Sequence, residues 1–99
     1  MKAIRRYRIN LKSREMKVRM PRGTEILCVT SERIGDSMGL FIHAAVPVLT
    51  TAQEITNSQE RRFELLMGDG EQLEDRGRRF IGTTKHMGGA VRVYLFEVE

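Results

Sequence analysis

The residue types best suited to acid–base or nucleophilic chemistry near neutral pH are two histidines and one cysteine. His43 lies in the apolar run GLFIHAAV, which predicts a satisfied core or edge histidine. Cys28 lies in the apolar run EILCVT and is expected to be inert core. His86 lies in the turn Lys85–Gly89, which predicts an exposed loop side chain. Nothing in the spacing of Cys28 and His43 supports a catalytic pair, so we predict no catalytic residue and no enzyme.

The sequence lacks the residue patterns that metal binding, phosphate binding and disulfide formation require. Zinc sites use Cys-x-x-Cys or closely spaced histidines, and the sequence contains neither. Gly68-Asp69-Gly70 is not a phosphate loop, because no Lys-Ser/Thr and helix follow it, and it is typical of a turn. Gly88-Gly89 could expose its amides to an anion, but a tight hairpin is the simpler interpretation. We therefore expect no metal and no cofactor. The single cysteine cannot form an internal disulfide, which favours a reducing cytoplasm.

Positive charge is concentrated in the first third of the chain. Residues 1–33 contain ten lysines and arginines and three acids, whereas residues 34–99 contain seven and ten. The formal net charge of the whole chain is +4. A one-sided basic region favours an anionic partner. The alternative is a solvated edge, neutralised in part by the acidic segment Glu71–Asp75 folding back onto it.

Seven short segments show the apolar alternation or the continuous apolar runs of β-strands. They are 3–11, 15–20, 25–30, 39–46, 61–67, 78–84 and 90–98. We predict a single all-β domain over residues 1–99, an antiparallel sandwich or barrel. The continuous runs in 25–30 and 39–46 predict strands covered on both faces, joined by a loop at 31–37. The longest apolar stretch, Met38–Leu49, is shorter than the about twenty residues of a membrane helix, so no membrane partner is expected.

The first two segments match each other as the strands of a hairpin. With a turn at Lys12-Ser13, Ile9 would face Met16 and Tyr7 would face Val18. Apolar residues then meet on one face and polar residues on the other, as strand register requires. The polar face would collect four cations into one partner-binding surface: Arg6, Arg8, Lys17 and Arg19.

The segment Pro47–Gln59 is rich in threonine, serine, asparagine and glutamine. This composition predicts a long mobile surface loop at 47–60, with room for one helical turn near Ala52–Ile55. A loop too long for a mere connection favours a role in binding. The partner-binding residues predicted here are Thr50, Thr51, Gln53 and Glu54.

The identity of the anionic partner stays open at the level of sequence. Only 6% of the residues are aromatic, and no nucleic-acid-binding signature is present, so bases would find no stacking platform. Binding to duplex phosphates remains an alternative, and an acidic protein surface is equally compatible. A third alternative is a virion or assembly component that buries an exposed strand edge in a homo-oligomer.

Several motifs near both ends resemble one small family. They are Met20-Pro21-x-Gly23-x-x-Ile26-Leu27-x-Val29, Arg62-Phe63, Phe80-Ile81-Gly82-Thr83, Gly88-Gly89-Ala90-Val91 and Leu95-Phe96-Glu97. The family comprises short phage, prophage and bacterial proteins of uncharacterised function. Its members have a shorter central link with a tryptophan, whereas this chain has the longer segment Pro47–Gln59 and no tryptophan.

The phage setting of that family implies an accessory protein that acts in the cytoplasm of an infected or lysogenic bacterial host. Such a protein would inhibit a host enzyme or a defence system. Together with the charge distribution, the resemblance leads to the hypothesis of a non-enzymatic binding module. It would occlude a host macromolecule, most simply a host protein, through the basic hairpin face and the 47–59 segment.

Overall fold

The computed structural model describes residues 1–10, 13–68, 70–74 and 76–99. These residues form seven strands and one short helix. The strands are β1 (Lys2–Arg8), β2 (Glu15–Pro21), β3 (Glu25–Ile34), β4 (Ser37–Pro47), β5 (Ser58–Met67), β6 (Arg78–His86) and β7 (Val91–Val98). The helix α1 (Thr51–Thr56) lies between β4 and β5. Every predicted segment overlaps one strand, which confirms the all-β prediction.

The strands form two antiparallel sheets that enclose one apolar core. The three-stranded sheet has the order β1-β4-β3, and the four-stranded sheet has the order β2-β5-β7-β6. Successive side chains of a strand point to opposite faces, so alternate residues of both sheets meet between them. The buried residues of this core are Ile9, Met20, Val29, Leu40, Ile42, Phe63, Leu65, Val93 and Leu95.

The predicted hairpin between the first two strands is wrong. β1 pairs with β4, so that Tyr7 lies opposite Ile42, and β2 pairs with β5, so that Val18 lies opposite Arg61. Alternation fixed which side chains of each strand face the core but not which strand lies alongside, because non-local strands satisfy the same pattern. The predicted turn includes Lys12, which lies outside the described residues. The other residues outside the description are Leu11, Asp69 and Asp75.

β3 and β4 form a tight hairpin where a loop at 31–37 was predicted. Gly35 has φ +58°, and Ile34 lies opposite Ser37, so only Gly35 and Asp36 form the turn. A side chain at φ +58° is strained, which explains a glycine there. The strands extend because a two-residue turn lets the ladder continue to its base.

The two apolar runs differ in burial although both were predicted to be covered on both faces. β4 is the central strand, and most of its residues from Gly39 to Val46 are buried, as predicted. The prediction is wrong for β3, where Leu27 is 44% exposed and Cys28 is exposed. β3 is an edge strand with an irregularity between Ile26 and Cys28, which shifts its side chains relative to the sheet.

The long connection predicted at 47–60 is present but shorter, at residues 48–57, and it is partly helical. β4 continues to Pro47, β5 begins at Ser58, and α1 occupies Thr51–Thr56 between them. The helical turn expected near Ala52–Ile55 is therefore present and slightly longer than predicted. Thr50 caps it, because its side chain accepts a hydrogen bond from the Gln53 N–H while the Gln53 side chain accepts one from the Thr50 N–H.

The two sides of the sandwich differ in how the sheets meet. On one side β3 packs against β6, where a Cβ added at Gly82 would lie only 3.3 Å from Val29 Cγ1. Ser31 Oγ and His86 Nδ1 are 3.1 Å apart at the same side. On the opposite side lie β1 and β2, each the last strand of its own sheet. We call this second side the open side.

His86 is 5% exposed, which corrects the prediction of an exposed turn residue. It is the last residue of β6 and lies opposite Val91, ahead of the turn rather than within it. Its hydrogen bond with Ser31 satisfies the ring nitrogen in the core, as buried polar groups require.

Candidate binding site along strand β2

Two grooves border β2, the first on the outer face of the four-stranded sheet and the second near β1 and α1. The first has a volume of about 490 Å³ and is lined by residues of β2, β5 and β7, among them Lys17, Arg62 and Phe63. The second has a volume of about 330 Å³ and lies between the end of β2, β1 and α1. A partner that follows β2 would therefore contact both grooves.

The first groove brings two cations together. Lys17 lies directly opposite Arg62 on neighbouring strands, and both side chains are exposed. Arg62 Nη2 donates to the main-chain oxygen of Glu99 over 2.8 Å, whereas Lys17 has no hydrogen-bond or ion-pair partner among the described residues. Like charges directly opposite each other destabilise a sheet, typically by some tenths of a kcal/mol. Two such cations in a groove are suited to binding an anionic group.

The second groove combines polar side chains with an exposed apolar one. Arg5 Nη2 is 2.8 Å from Glu54 Oε1, and Arg19 Nε donates to Ser58 Oγ over 3.0 Å. The hydrogen bond with Glu54 is the main cause that raises the pKa of Arg5 above its ordinary value. Ile55 of α1 is 72% exposed in the same groove. The groove therefore offers an apolar contact beside paired charges.

The structure brings together half of the residues predicted to bind a partner. Lys17 lines the first groove, and Arg19, Thr51 and Glu54 line the second. Thr50 and Gln53 instead form the capping box that begins α1. The remaining two predicted residues, Arg6 and Arg8, lie elsewhere.

The predicted single basic face of four cations is wrong. Arg6 and Arg8 alternate with the inward-facing Tyr7, so they project from the outer face of the three-stranded sheet. Lys17 and Arg19 alternate with core-facing residues of β2 and project from the outer face of the four-stranded sheet. The four cations thus lie on opposite faces of the sandwich. All four cations nevertheless lie on strands that border the open side, namely β1 and β2.

Arg6 belongs to a hydrogen-bonded cluster on the outer face of the three-stranded sheet. Its Nη1 is 2.7 Å from Glu32 Oε1, and its guanidinium lies 4.8 Å from the ring centroid of Phe41. Thr30 Oγ1 donates to Glu32 Oε2 over 2.7 Å and is the main cause that lowers the pKa of Glu32. His43 Nε2 is 2.9 Å from Glu32 Oε2. Arg6 is therefore already engaged within the molecule.

This cluster does not have the geometry of a catalytic triad. His43 uses one nitrogen, Nε2, for both of its contacts, 2.8 Å to Thr30 Oγ1 and 2.9 Å to Glu32 Oε2. A triad histidine instead contacts the acid through one ring nitrogen and the nucleophile through the other, which lets it take up the proton of the hydroxyl. The cluster satisfies His43 on the outer face of the central strand β4, so the satisfied histidine predicted from the sequence is present but not at an edge.

Cys28 lies directly opposite His43 on the neighbouring strand and is exposed, so its predicted place in the core is wrong. The spacing of Cys28 and His43 in the sequence did not indicate that they lie opposite each other, because the pairing depends on the β3–β4 register and its irregularity. Within the described part of the chain, no group of three or more His, Cys, Asp or Glu residues could hold a metal ion.

Sequence reasoning missed Arg5, Ile55, Ser58 and Arg62 in the two grooves. Arg62 was assigned to a strand but not to the site, because the β2–β5 pairing is non-local. The one available signal is that Arg62 belongs to the adjacent pair Arg61-Arg62 at the start of an amphipathic strand, where one arginine must project outward.

The acidic segment after β5 does fold back onto a basic residue. Arg14 Nη1 is 3.2 Å from Glu71 Oε2, and Arg14 Nε is 3.2 Å from the buried Glu64. Arg78 Nε lies 3.2 Å from the other oxygen of Glu64. The two contacts of Arg14 neutralise part of the basic excess of residues 1–33, and they do so at Arg14 and not at Lys17.

Within the described ranges, no helix is long and apolar enough to cross a bilayer. No curated protein and no solved structure gives a significant match to the chain. One family profile matches residues 1–99, a range that includes both sheets and α1. That family is described as a domain of unknown function, in agreement with the expectation of an uncharacterised family. The chain therefore belongs to the family of the domain of unknown function DUF7352.

Proposed function

We propose that this protein is a non-enzymatic binding module that captures an acidic protein surface with the open side of its sandwich. The observation that carries the proposal is the pair Lys17 and Arg62, opposed cations in a groove along an edge strand. An acidic side chain beside Lys17 would relieve the repulsion between the two cations. Binding would thereby offset a cost that the free protein already carries.

The charges around the open side support this choice of partner. Lys17 on β2, Arg22 just after it and Arg8 on β1 are exposed and have no side-chain hydrogen bond or ion pair with any other described residue. By contrast, Arg5 and Arg6 have glutamate partners. Exposed unpaired cations steer association with anionic surfaces and make the association rate salt-dependent.

The side chains in the grooves favour a protein over a single-stranded nucleic acid. Among the described residues that line the grooves, Phe63 is the one aromatic, and its side chain is fully buried. Bases bound there would have no exposed ring on which to stack. Ile55 instead offers the kind of apolar contact that protein interfaces use at their centres.

The biological setting of the proposal comes from the family resemblance. We place the protein among phage-encoded accessory proteins that occlude a host protein in the bacterial cytoplasm. Occlusion requires only a tight and well-placed contact, which suits a small domain without a predicted catalytic residue.

Affinity capture from bacterial lysate tests the proposal. The variant Lys17→Glu/Arg62→Glu reverses the groove charges, and Lys85→Glu/Arg92→Glu reverses another directly opposed pair of cations on the same sheet. We expect the first variant to lose the captured protein and the second to retain it. Equal capture by wild type and both variants would refute the proposal.

Two further measurements separate the alternatives. Nuclease treatment that abolishes capture would indicate nucleic acid as the partner and contradict the proposal. Light scattering that gives a multiple of the chain mass, together with loss of that mass in the groove variant, would indicate self-association as the role of this side.

A further inference from the structure

We infer that the acidic partner binds by adding a β-strand to the free edge of β2. The added strand would place acidic side chains opposite Lys17 and Arg19 and an apolar side chain opposite Val18. This inference rests on the proposed function and specifies the mode of binding. It predicts a recognition sequence in which acidic and apolar residues alternate.

The backbone of β2 is available for this pairing. β2 is hydrogen-bonded to β5 along Glu15–Pro21 and is the last strand of its sheet. The outward N–H and C=O groups of an edge strand are a template for another strand. Pro21 has no N–H and closes the template at one end. The edge available for pairing therefore extends from Glu15 to about Met20.

The side chains of β2 specify what an added strand must carry. Lys17 and Arg19 are exposed on the outer face, while Val18 is half-buried and packs against the core. Opposite charges directly across two strands are favourable, and so are apolar pairs. An acidic, apolar, acidic sequence would meet all three positions, and the residues that follow it would reach the groove between the end of β2, β1 and α1.

The charge pattern selects an acidic partner over a second copy of this chain. In an antiparallel pairing of two β2 strands centred on Val18, Lys17 of one copy would lie opposite Arg19 of the other. The β1 edge is less suited as the template, because Arg5 and Arg6 already have glutamate partners. Lysine and arginine on an edge strand also commonly prevent pairing between identical copies.

Titration of the full chain with synthetic peptides tests this mode of binding. One peptide has alternating glutamate and valine, and a second has the same composition with the glutamates and valines in separate blocks. A third repeats the alternating sequence with N-methylated backbone amides. We expect the alternating peptide to bind about tenfold more tightly than either control, because only it combines backbone pairing with alternate side chains.

The location of binding is read from amide hydrogen exchange and NMR shifts. We expect the alternating peptide to slow exchange at β2 and to lose this effect in Lys17→Glu, while Lys85→Glu retains it. Equal salt-dependent binding of all three peptides without protection of β2 would overturn strand addition and leave the acidic-partner proposal standing. Absence of binding by every acidic peptide would overturn strand addition, and the lysate capture would then decide the proposed function separately.

Discussion

Arg61 and Glu97 form a two-pronged ion pair on the core side of the four-stranded sheet. Arg61 Nε lies 2.6 Å from Glu97 Oε2, and Arg61 Nη2 lies 2.7 Å from Glu97 Oε1. Arg61 also donates to the main-chain oxygen of Thr24, and Arg79 donates to Glu97 over 2.8 Å. Paired hydrogen bonds of this kind are the strong form of the arginine–carboxylate contact. The ion pair lies at the end of the core, where the side chains between the sheets change from apolar to charged.

The pair predicts a pH-dependent stability. Burial raises the pKa of Glu97, but the hydrogen bonds and charges of Arg61 and Arg79 outweigh it and lower the pKa overall. Such a carboxyl stabilises the folded state above its unfolded pKa of about 4.3, and this contribution is lost as the pH falls through the folded pKa. We expect Glu97→Gln to lower the free energy of unfolding by about 1–3 kcal/mol at pH 7 and by less at pH 3.

Urea unfolding of wild type and variants at both pH values measures this contribution. Glu74→Gln is the matched control, because Glu74 is exposed and its contact with Arg78 is 3.8 Å long. We expect that control to lie within about 0.5 kcal/mol of wild type. If Glu97→Gln lowers the free energy of unfolding by the same amount at pH 7 and pH 3, the stabilisation does not come from the ionised carboxyl of Glu97.

Lys17→Glu is expected to stabilise the protein while weakening partner capture. The substitution turns the like-charge pair with Arg62 into an opposite-charge pair, worth about 0.2–1 kcal/mol. Lys85→Glu should give a similar gain, because Lys85 lies opposite Arg92 in the same sheet. Urea unfolding and capture assays on both variants separate the two effects. Lower stability of Lys17→Glu at low salt would show that the two cations do not repel each other appreciably.

Met87→Asn is expected to stabilise the fold by about 0.5–1 kcal/mol. Met87 has φ +54°, a left-handed conformation that asparagine adopts more readily than methionine. Its side chain is 62% exposed, so little packing is lost. Thermal unfolding measures the gain. Met38→Asn is the control, because Met38 is also partly exposed but lies in the extended β4, where we expect no gain.

Cys28 is expected to react with a water-soluble disulfide reagent in the folded protein. The thiol is exposed on β3, so modification does not require unfolding. We expect one equivalent to react without denaturant and no further equivalent in denaturant, since the sequence has one cysteine. Reaction that begins only when urea unfolds the protein would mean that the thiol is buried after all.

The sequence allowed all seven strands to be predicted, because local alternation reports which side chains face a core. It did not allow the neighbours of β1 and β2 to be predicted, since that choice depends on strands far along the chain. The burial of His86 and of Cys28 was also mispredicted, and the two errors have opposite signs. The turn glycines near His86 suggested exposure, and the apolar run around Cys28 suggested burial, yet strand position in the sheets decided both.

The candidate site was predictable to the extent that it depends on charge. Lys17 and Arg19 were identified because a basic strand that alternates with apolar residues must present its cations to solvent. Arg62 and Ile55 could not be assigned to the same site, because the β2–β5 pairing and the packing of α1 bring them there.

The strand connections have a consequence for the order in which the molecule assembles. The hairpins β3–β4 and β6–β7 have tight turns, so their strands pair through contacts that are close in sequence. By contrast, β1 pairs with β4 and β2 pairs with β5, which lie much further along the chain. Short-range contacts form early, and late-added edges are the first to detach. We therefore expect β1 and β2, which border the surface proposed for recognition, to detach from their sheets more often than the other strands do. A partner strand could then bind or leave while the hairpins β3–β4 and β6–β7 stay folded.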